Sequence, residues 1–162
     1  MYKVPGLRLV VQHKTMACWY ASARMVIQWK RHQARATFAD HPDPSQVAVT
    51  IAWEVSNAGV TNPQVIQLAQ TLGLKTVPPM TPSLKMIREL LQRHGPLWTN
   101  GKSHIVVIGG VDEVMGSVLV FDPWPPGQGT IEWRPFKWYL GGQAPDSRDT
   151  SSDLRAIFLY HP

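Results

Sequence analysis

The residues best suited to do chemistry are a lone cysteine, Cys18, and a glutamine six positions before it, Gln12. A cysteine thiol has an ordinary pKa of about 8.5, so catalysis through sulfur needs surroundings that favour the thiolate. A helix N-terminus provides such surroundings because its unpaired N–H groups attract negative charge. Thr15 is a candidate cap, which places Cys18 in the first turn of a helix. Gln12 could then donate a side-chain N–H to an oxyanion.

Thiol catalysis also needs an imidazole, and His104 is the best candidate among the six histidines. It begins an apolar run that predicts a buried strand, and Asp122 ends the next apolar run. If the two runs are adjacent antiparallel strands, the start of one lies beside the end of the other. Asp122 would then orient the ring of His104. Each residue alone has an ordinary structural interpretation, but their order and spacing together favour catalysis.

The helices that must position these residues are predicted from apolar patterning and caps. The segment after Cys18 is apolar almost all round until about His32, which predicts a buried central helix. Residues 47–55 fit an alternating strand or a helix face, and we favour the helix. Two more helices, over residues 62–72 and 81–94, each open with a capping residue before a proline and end at a glycine.

The second half of the chain is predicted to be mainly strand. Strands are expected at residues 97–100, 104–111, 118–122 and 154–160, with a short helix over 136–140 and a polar loop over 141–153. Helices followed by strands indicate an α+β fold. No linker divides the chain, so we expect one domain over residues 1–162, with a helical part at about 12–95 and a β part at about 96–162.

Composition excludes several classes of protein. The chain has 44% hydrophobic and 17% charged residues, a net charge of +5 and a pI near 9.6. Its Lys and Arg residues are scattered, which argues against a nucleic-acid interface. One cysteine excludes an internal disulfide, no run is long enough for a membrane helix, and no ligand set has zinc spacing. We expect a monomer without metal or cofactor, made in the cytoplasm without a cleavable signal peptide.

With these residues in place, the chain resembles the papain-like cysteine peptidase superfamily. The similarity covers residues 12–30 and 95–140, and its most specific parts are Cys18-Trp19 and the Asp-Pro-Trp-Pro-Pro-Gly run that starts at Asp122. The closer resemblance is to compact bacterial members. These are the effector proteases of the AvrRpt group and the double-glycine leader peptidases of bacteriocin transporters.

The resemblance implies a papain-like fold and a role for each candidate residue. Gln12 corresponds to the oxyanion glutamine, Cys18 to the nucleophile, and His104 to the general base and acid. Asp122 takes the place of the orienting residue, which is Asn in plant papains. The interval from Cys18 to His104 is also far shorter than the ~130–150 residues of those enzymes. Both differences favour the short bacterial type.

The resemblance further implies an endopeptidase that cleaves a protein after a small residue, often Gly. It implies an effector or toxin that a specialised secretion system delivers into another cell. A bacterial target would require a cognate immunity protein in the producing cell. Trp19 and Trp124 flank the candidate site and are predicted to line the substrate groove.

Three alternatives remain open from the sequence. A peptidoglycan amidase or endopeptidase could use the same residues, although such enzymes usually place their cysteine in Asp-Cys-Ser and this chain has Ala17-Cys18-Trp19. An acyltransferase would resolve the thioester with an amine instead of water. A binding module would simply bury Cys18, and slow labelling of the thiol at mildly acidic pH would reveal it.

Overall fold

The chain folds as helices packed on an antiparallel sheet, which confirms the predicted α+β class. The computed structural model describes residues 1–34, 41–78, 82–101, 104–136 and 158–162. Its α-helices are α1 (Cys18–Ala34), α2 (Ala48–Val55), α3 (Asn62–Thr71) and α4 (Leu84–His94). Its strands are β1 (Tyr2–Lys3), β2 (Lys75–Thr76), β3 (Leu97–Gly101), β4 (His104–Asp112), β5 (Ser117–Asp122), β6 (Thr130–Pro135) and β7 (Phe158–Tyr160). None of the helices in these residues is long and apolar enough to cross a membrane.

The register of the sheet brings the start of β4 to the end of β5. The strand order is β2-β7-β3-β4-β5-β6, and β1 also pairs with β4. β4 and β5 are antiparallel, with Val107 opposite Phe121. β5 continues to Asp122, which stands opposite Thr130 of β6. His104 and Asp122 therefore lie at the same end of neighbouring strands, as the sequence predicts.

Strand β4 is buried on both faces, which makes it a firm support for His104. Successive side chains of a strand point to opposite faces. Ile105 and Val107 accordingly pack into a core that includes residues of α1 and α3. Val106 and Ile108 pack into a second core that includes residues of α4.

Helix α1 is largely buried from Trp19 to Ile27, as its apolar composition predicts, and its last turns are partly exposed. Ser22 lies one turn after Cys18 and so shares its face of the helix. The Ser22 hydroxyl donates a hydrogen bond to the carbonyl oxygen of Ile105 at 3.3 Å. Because Ile105 follows His104 in β4, this bond aligns the start of the helix with the start of the strand.

Two helix starts differ from the prediction by one or two residues. α3 begins at Asn62, but the cap position is Thr61, whose backbone N–H donates to the side chain of Gln64 at 2.8 Å. α4 is capped by Ser83, whose hydroxyl oxygen accepts a backbone N–H. The predicted cap of that helix, Thr81, lies outside the described residues. The observed cap is thus one residue before the predicted one in α3 and two residues after it in α4.

The other predicted elements divide into those confirmed, those missed and those outside the described residues. Residues 47–55 contain helix α2, which confirms the choice of helix over strand. Strands β1, β2 and β6 were not predicted, because two have only two residues each and β6 is a half-exposed edge strand. Residues 137–157 lie outside the described part, and with them most of the predicted short helix, the polar loop and the first half of the last strand.

Candidate active site

The candidate nucleophile, Cys18, is the first residue of α1 and is half-buried. Ala17 precedes it and has no side-chain acceptor with which to cap the helix. The prediction that Thr15 caps this helix is wrong. Thr15 lies in the turn before α1, where its hydroxyl oxygen accepts a hydrogen bond from Asn57 at 3.1 Å. The sulfur therefore lies at the positive end of the helix dipole without competition from a capping side chain at Ala17.

The turn that leads into α1 is held by the C-terminal end of α2. The ammonium group of Lys14 lies 3.2 Å from the carboxylate of Glu54 and 3.0 Å from its carbonyl oxygen. The backbone N–H of Met16 donates to the side chain of Asn57 at 3.0 Å. Asn57 has a φ of +50°, a conformation that Asn adopts more readily than most residues. These contacts fix the entry of the chain into the helix that carries Cys18.

His104 links Cys18 with Asp122. Its Nε2 atom lies 2.6 Å from Oδ1 of Asp122, and the ring is near enough to Cys18 for the thiol to help raise the pKa of His104. Because Nε2 faces the carboxylate, Nδ1 is the nitrogen left for the sulfur. The structure thus brings together three of the residues that the sequence singles out.

The contacts of His104 favour its charged form. Burial by itself lowers the pKa of His104, but the hydrogen bonds to Asp122 and Cys18 and their negative charges outweigh this and raise the pKa to about 9. Burial by itself raises the pKa of Asp122. The net pKa is nevertheless lowered by the hydrogen bond and charge of His104, the N–H of Trp124 and the charge of Arg134. The pair is therefore an imidazolium and a carboxylate at neutral pH.

Asp122 has two further partners, neither of which the sequence predicts. Its Oδ1 also accepts the backbone N–H of Trp124 at 2.9 Å. Its Oδ2 accepts a hydrogen bond from Nη2 of Arg134 in β6 at 3.1 Å. The Nε of Arg134 in turn donates to Glu132 at 2.7 Å. The alternation Glu132-Trp133-Arg134, which puts two charges on the same face of β6 as Thr130, the partner of Asp122, is the signal that could have identified Arg134.

Gln12 is buried beside this site, but its amide hydrogens point to the backbone. Its Nε2 donates to the carbonyl oxygens of Lys14 at 2.7 Å and Thr15 at 3.1 Å. Its backbone N–H and C=O pair with Pro123 and Gly127. Gln12 therefore joins the turn before Cys18 to the turn after Asp122. In this state both amide hydrogens already have acceptors, which the sequence does not predict.

A cysteine at a helix start can perform thiol-based acyl transfer when a histidine that contacts a buried carboxylate lies beside it. The family described as papain-like cysteine protease AvrRpt2 matches residues 1–139 of the chain. The chain belongs to this family. It is a papain-like cysteine peptidase, and its reaction is hydrolysis.

Several solved structures share the fold of this peptidase. The peptidase domain of Streptococcus ComA, a bifunctional ABC transporter of a quorum-sensing pathway, has a TM-score of 0.54 and 15% identity over 96% of this chain and 98% of its own. A double-glycine motif protease from an AMS/PCAT transporter, in complex with its leader peptide, has a TM-score of 0.50 and 14% identity over 100% and 96%. UfSP from C. elegans has a TM-score of 0.59 and 18% identity over 99% of this chain and 33% of its own. Among curated proteins, none matches this chain.

The two tryptophans predicted to line a substrate groove have different environments in the peptidase. Trp19 is completely buried in the core, and its carbonyl oxygen accepts the indole N–H of Trp98. The prediction for Trp19 is therefore wrong, because its side chain has no surface to offer a substrate. Trp124 is 45% exposed and lies two residues after Asp122, so it remains a candidate for substrate contact.

Other histidines of the peptidase take part in separate contacts. The rings of His41 and His161 meet edge to face at 4.3 Å, and burial lowers the pKa of His161. The ring of His94 packs on Tyr160 at 4.1 Å, and burial lowers the pKa of His94 as well. In the residues that the structure describes, no group of three or more His, Cys, Asp or Glu side chains could hold a metal ion.

Proposed function

We propose that this peptidase is an endopeptidase in which Cys18 is the nucleophile, His104 the general base and acid, and Asp122 the residue that orients His104. The observation that carries the proposal is the position of His104, which meets Asp122 through Nε2 at 2.6 Å and is near enough to Cys18 for the thiol to help raise its pKa. The position of Cys18 at the start of α1 supports it, because the helix dipole favours a thiolate there.

The proposed reaction is acyl transfer through a thioester. The thiolate of Cys18 attacks the peptide carbonyl carbon, and the electron pair of the C=O bond moves to oxygen. When the tetrahedral intermediate collapses, the C–N bond breaks and the His104 imidazolium gives its proton to the leaving amine. Neutral His104 then takes a proton from water, which attacks the thioester and releases the Cys18 thiolate.

The backbone N–H of Cys18 and the amide of Gln12 are the proposed oxyanion donors. The bond from Gln12 to the carbonyl of Thr15 is the longer of its two amide bonds, at 3.1 Å against 2.7 Å for Lys14. We propose that this longer bond is exchanged for the oxyanion when substrate is present. Catalytic hydrogen bonds often reach their final geometry only in the complex with substrate.

The proposed substrate is a protein that is cleaved after a small residue, often Gly. The fold likeness to a double-glycine motif protease supports this. Membership of the AvrRpt2 family supports the role of an effector delivered into another cell by a specialised secretion system. In this proposal a producer whose target is bacterial carries a cognate immunity protein.

A survey of new N-termini in a cell lysate tests the proposal. The lysate is incubated with the purified peptidase or with Cys18→Ala, and all N-terminal peptides are compared. New termini that need the intact thiol and share a small residue before the cut are expected. Cuts at unrelated sequences would contradict the specificity for a small residue. Release of muropeptides from purified sacculi, or isopeptide-linked products, would instead assign the chemistry to cell-wall cleavage or acyl transfer.

A further inference from the structure

The carboxylate of Asp122 is held on both oxygens, and each oxygen has a different kind of partner. Oδ1 meets His104 at 2.6 Å and the N–H of Trp124 at 2.9 Å. Oδ2 meets Nη2 of Arg134 at 3.1 Å. The side chain of Asp122 is only 7% exposed, so these partners replace most of its hydration. A carboxylate held at one oxygen alone could rotate about its Cβ–Cγ bond and weaken the contact with His104.

Arg134 is well placed to prevent that rotation. It lies in β6, which pairs with β5 from Ser117 to Asp122, so its backbone is fixed by the same sheet. Its side chain is 19% exposed, and Glu132 accepts a hydrogen bond from its Nε. A guanidinium presents its donors in a rigid plane, which holds an acceptor more firmly than an ammonium group does. The pairing of β6 with β5 and the hydrogen bond to Glu132 thus hold Arg134 in place beside Asp122.

Arg134 could influence His104 in two ways that have opposite signs. As a cation near Asp122 it disfavours the imidazolium, so loss of its charge alone would raise the pKa of His104. As a clamp on Oδ2 it keeps Oδ1 on the ring, so loss of the clamp would lower that pKa towards its ordinary value. Within the described residues, the titratable and charged groups that face the ring are Cys18 from α1 and Asp122 from β5, with Arg134 and Glu132 of β6 behind Asp122.

We propose that Arg134 is a positioning residue that holds Oδ2 of Asp122 and thereby keeps Oδ1 aimed at Nε2 of His104. The inference rests on the proposed role of His104 and Asp122. The effect of Arg134 on the reaction passes through Asp122 and then His104, and not through direct contact with the sulfur.

The test is an NMR titration of the His104 ring in a Cys18→Ser background. Long-range proton–nitrogen spectra report the protonation of each imidazole nitrogen as the pH is raised. Arg134→Met is expected to lower the pKa of His104 by about one unit, the size of effect that follows from weakening one charged hydrogen bond. A rise in this pKa, or no change, would overturn the proposal, because a cation that acts by charge alone gives a rise.

Arg134→Lys provides a second, independent test of the proposal. It retains the positive charge but loses the planar donor geometry, so a positioning role predicts a smaller decrease in the pKa of His104. An unchanged value would contradict the proposal. This variant decides the matter if Arg134→Met does not fold, as judged by the dispersion of its backbone amide spectrum. Arg24→Met is the matched control, because Arg24 pairs with a different buried carboxylate, and the titration of His104 should not change.

The titration does not depend on cleavage of any substrate. If the survey of N-termini finds no cuts but the pKa of His104 falls in the Arg134 variants, the contact is real and the proposed function fails. If cuts appear and the pKa does not fall, the proposed function stands and only the role of Arg134 is lost.

Discussion

In the part of the peptidase that the structure describes, two buried aspartates each pair with an arginine, and one of the two lies at the candidate site. Asp43 meets Arg24 at 3.0 Å, and Asp122 meets Arg134 at 3.1 Å. Both residues are at most 5% exposed, and both carboxyl groups have a pKa below the ordinary value. By burial, ion pairing and the direction of the pKa shift, the two are nearly alike.

The difference lies in the remaining partners. Asp43 also accepts hydrogen bonds from Gln28 and from the backbone and side chain of Ser45 at the start of the 3-10 turn Pro44–Gln46. None of these groups titrates near neutral pH. Asp122 instead meets His104, whose pKa is raised and whose ring contacts a thiol. A depressed carboxylate pKa therefore does not mark a catalytic site by itself. A titratable partner that touches a nucleophile does.

The largest expected effect comes from removal of that titratable partner. His104→Ala should reduce peptide cleavage about a thousandfold or more, because the reaction loses its general base and acid. It should also slow alkylation of Cys18 by iodoacetamide at mildly acidic pH, since no imidazolium remains to pair with a thiolate. His32→Ala, an exposed residue near the other end of α1, is the control and should keep the wild-type rates. Equal alkylation rates in wild type and His104→Ala would place Cys18 outside catalysis.

A pair of matched substitutions should separate the two aspartates. Asp122→Asn is expected to reduce cleavage about a hundredfold to ten-thousandfold, because the amide favours the wrong tautomer of His104. The free energy of unfolding should also fall by about 2–3 kcal/mol, since the NH2 group of the amide must face either the N–H of Trp124 or the guanidinium of Arg134, which are both donors.

Asp43→Asn should lose stability without losing activity. Its amide would turn a donor towards Arg24 and Gln28, which are themselves donors, so the free energy of unfolding should fall by about 2–3 kcal/mol. The folded fraction should cleave at the wild-type rate. Urea unfolding and initial rates measure the two effects, and similar profiles for both variants would remove the distinction between the clusters.

The dependence of the rate on pH sharpens the comparison further. The pKa of His104 is about 9, so the ring keeps its proton at neutral pH and loses it as the pH rises through that value. Cleavage should therefore decline on the alkaline side with a midpoint near pH 9, because the leaving amine no longer receives a proton. Asp122→Asn should move this midpoint to lower pH, whereas Asp43→Asn should leave it in place. An unchanged midpoint in Asp122→Asn would assign the alkaline decline to another group.

Among the variants expected to lose activity, the smallest loss of cleavage rate is expected at Gln12. Gln12→Ala removes two bonds to backbone carbonyls, and the free energy of unfolding should fall by about 1–2 kcal/mol. The rate should fall about a hundredfold if the amide also reaches the oxyanion. A loss of stability with an unchanged rate would restrict Gln12 to holding the turn before Cys18. A loss of rate with no loss of stability would mean that the bonds to Lys14 and Thr15 contribute nothing in solution.

The predictions that hold are those that depend on local patterns. The apolar segment after Cys18 predicts a buried helix. Two apolar runs predict the strand that begins at His104 and the strand that ends at Asp122. The errors arise where a distant residue decides the outcome. Thr15 has the right type for a cap, yet Asn57, which lies 42 positions away, engages its hydroxyl in the turn before the helix. Trp19 follows Cys18 directly, yet the helix turns it into the core.

The sequence by itself determined the α+β order, the placement of a lone cysteine at a helix start and the pairing of two strands that carry His104 and Asp122. Periodicity and helix-start signals are local, so they can be read without coordinates. Only the tertiary structure decided that Arg134 meets Asp122, that the amide of Gln12 faces two carbonyl groups, and that the pKa of His104 is raised. These properties depend on burial and on contacts between residues far apart in the chain, which no local pattern encodes.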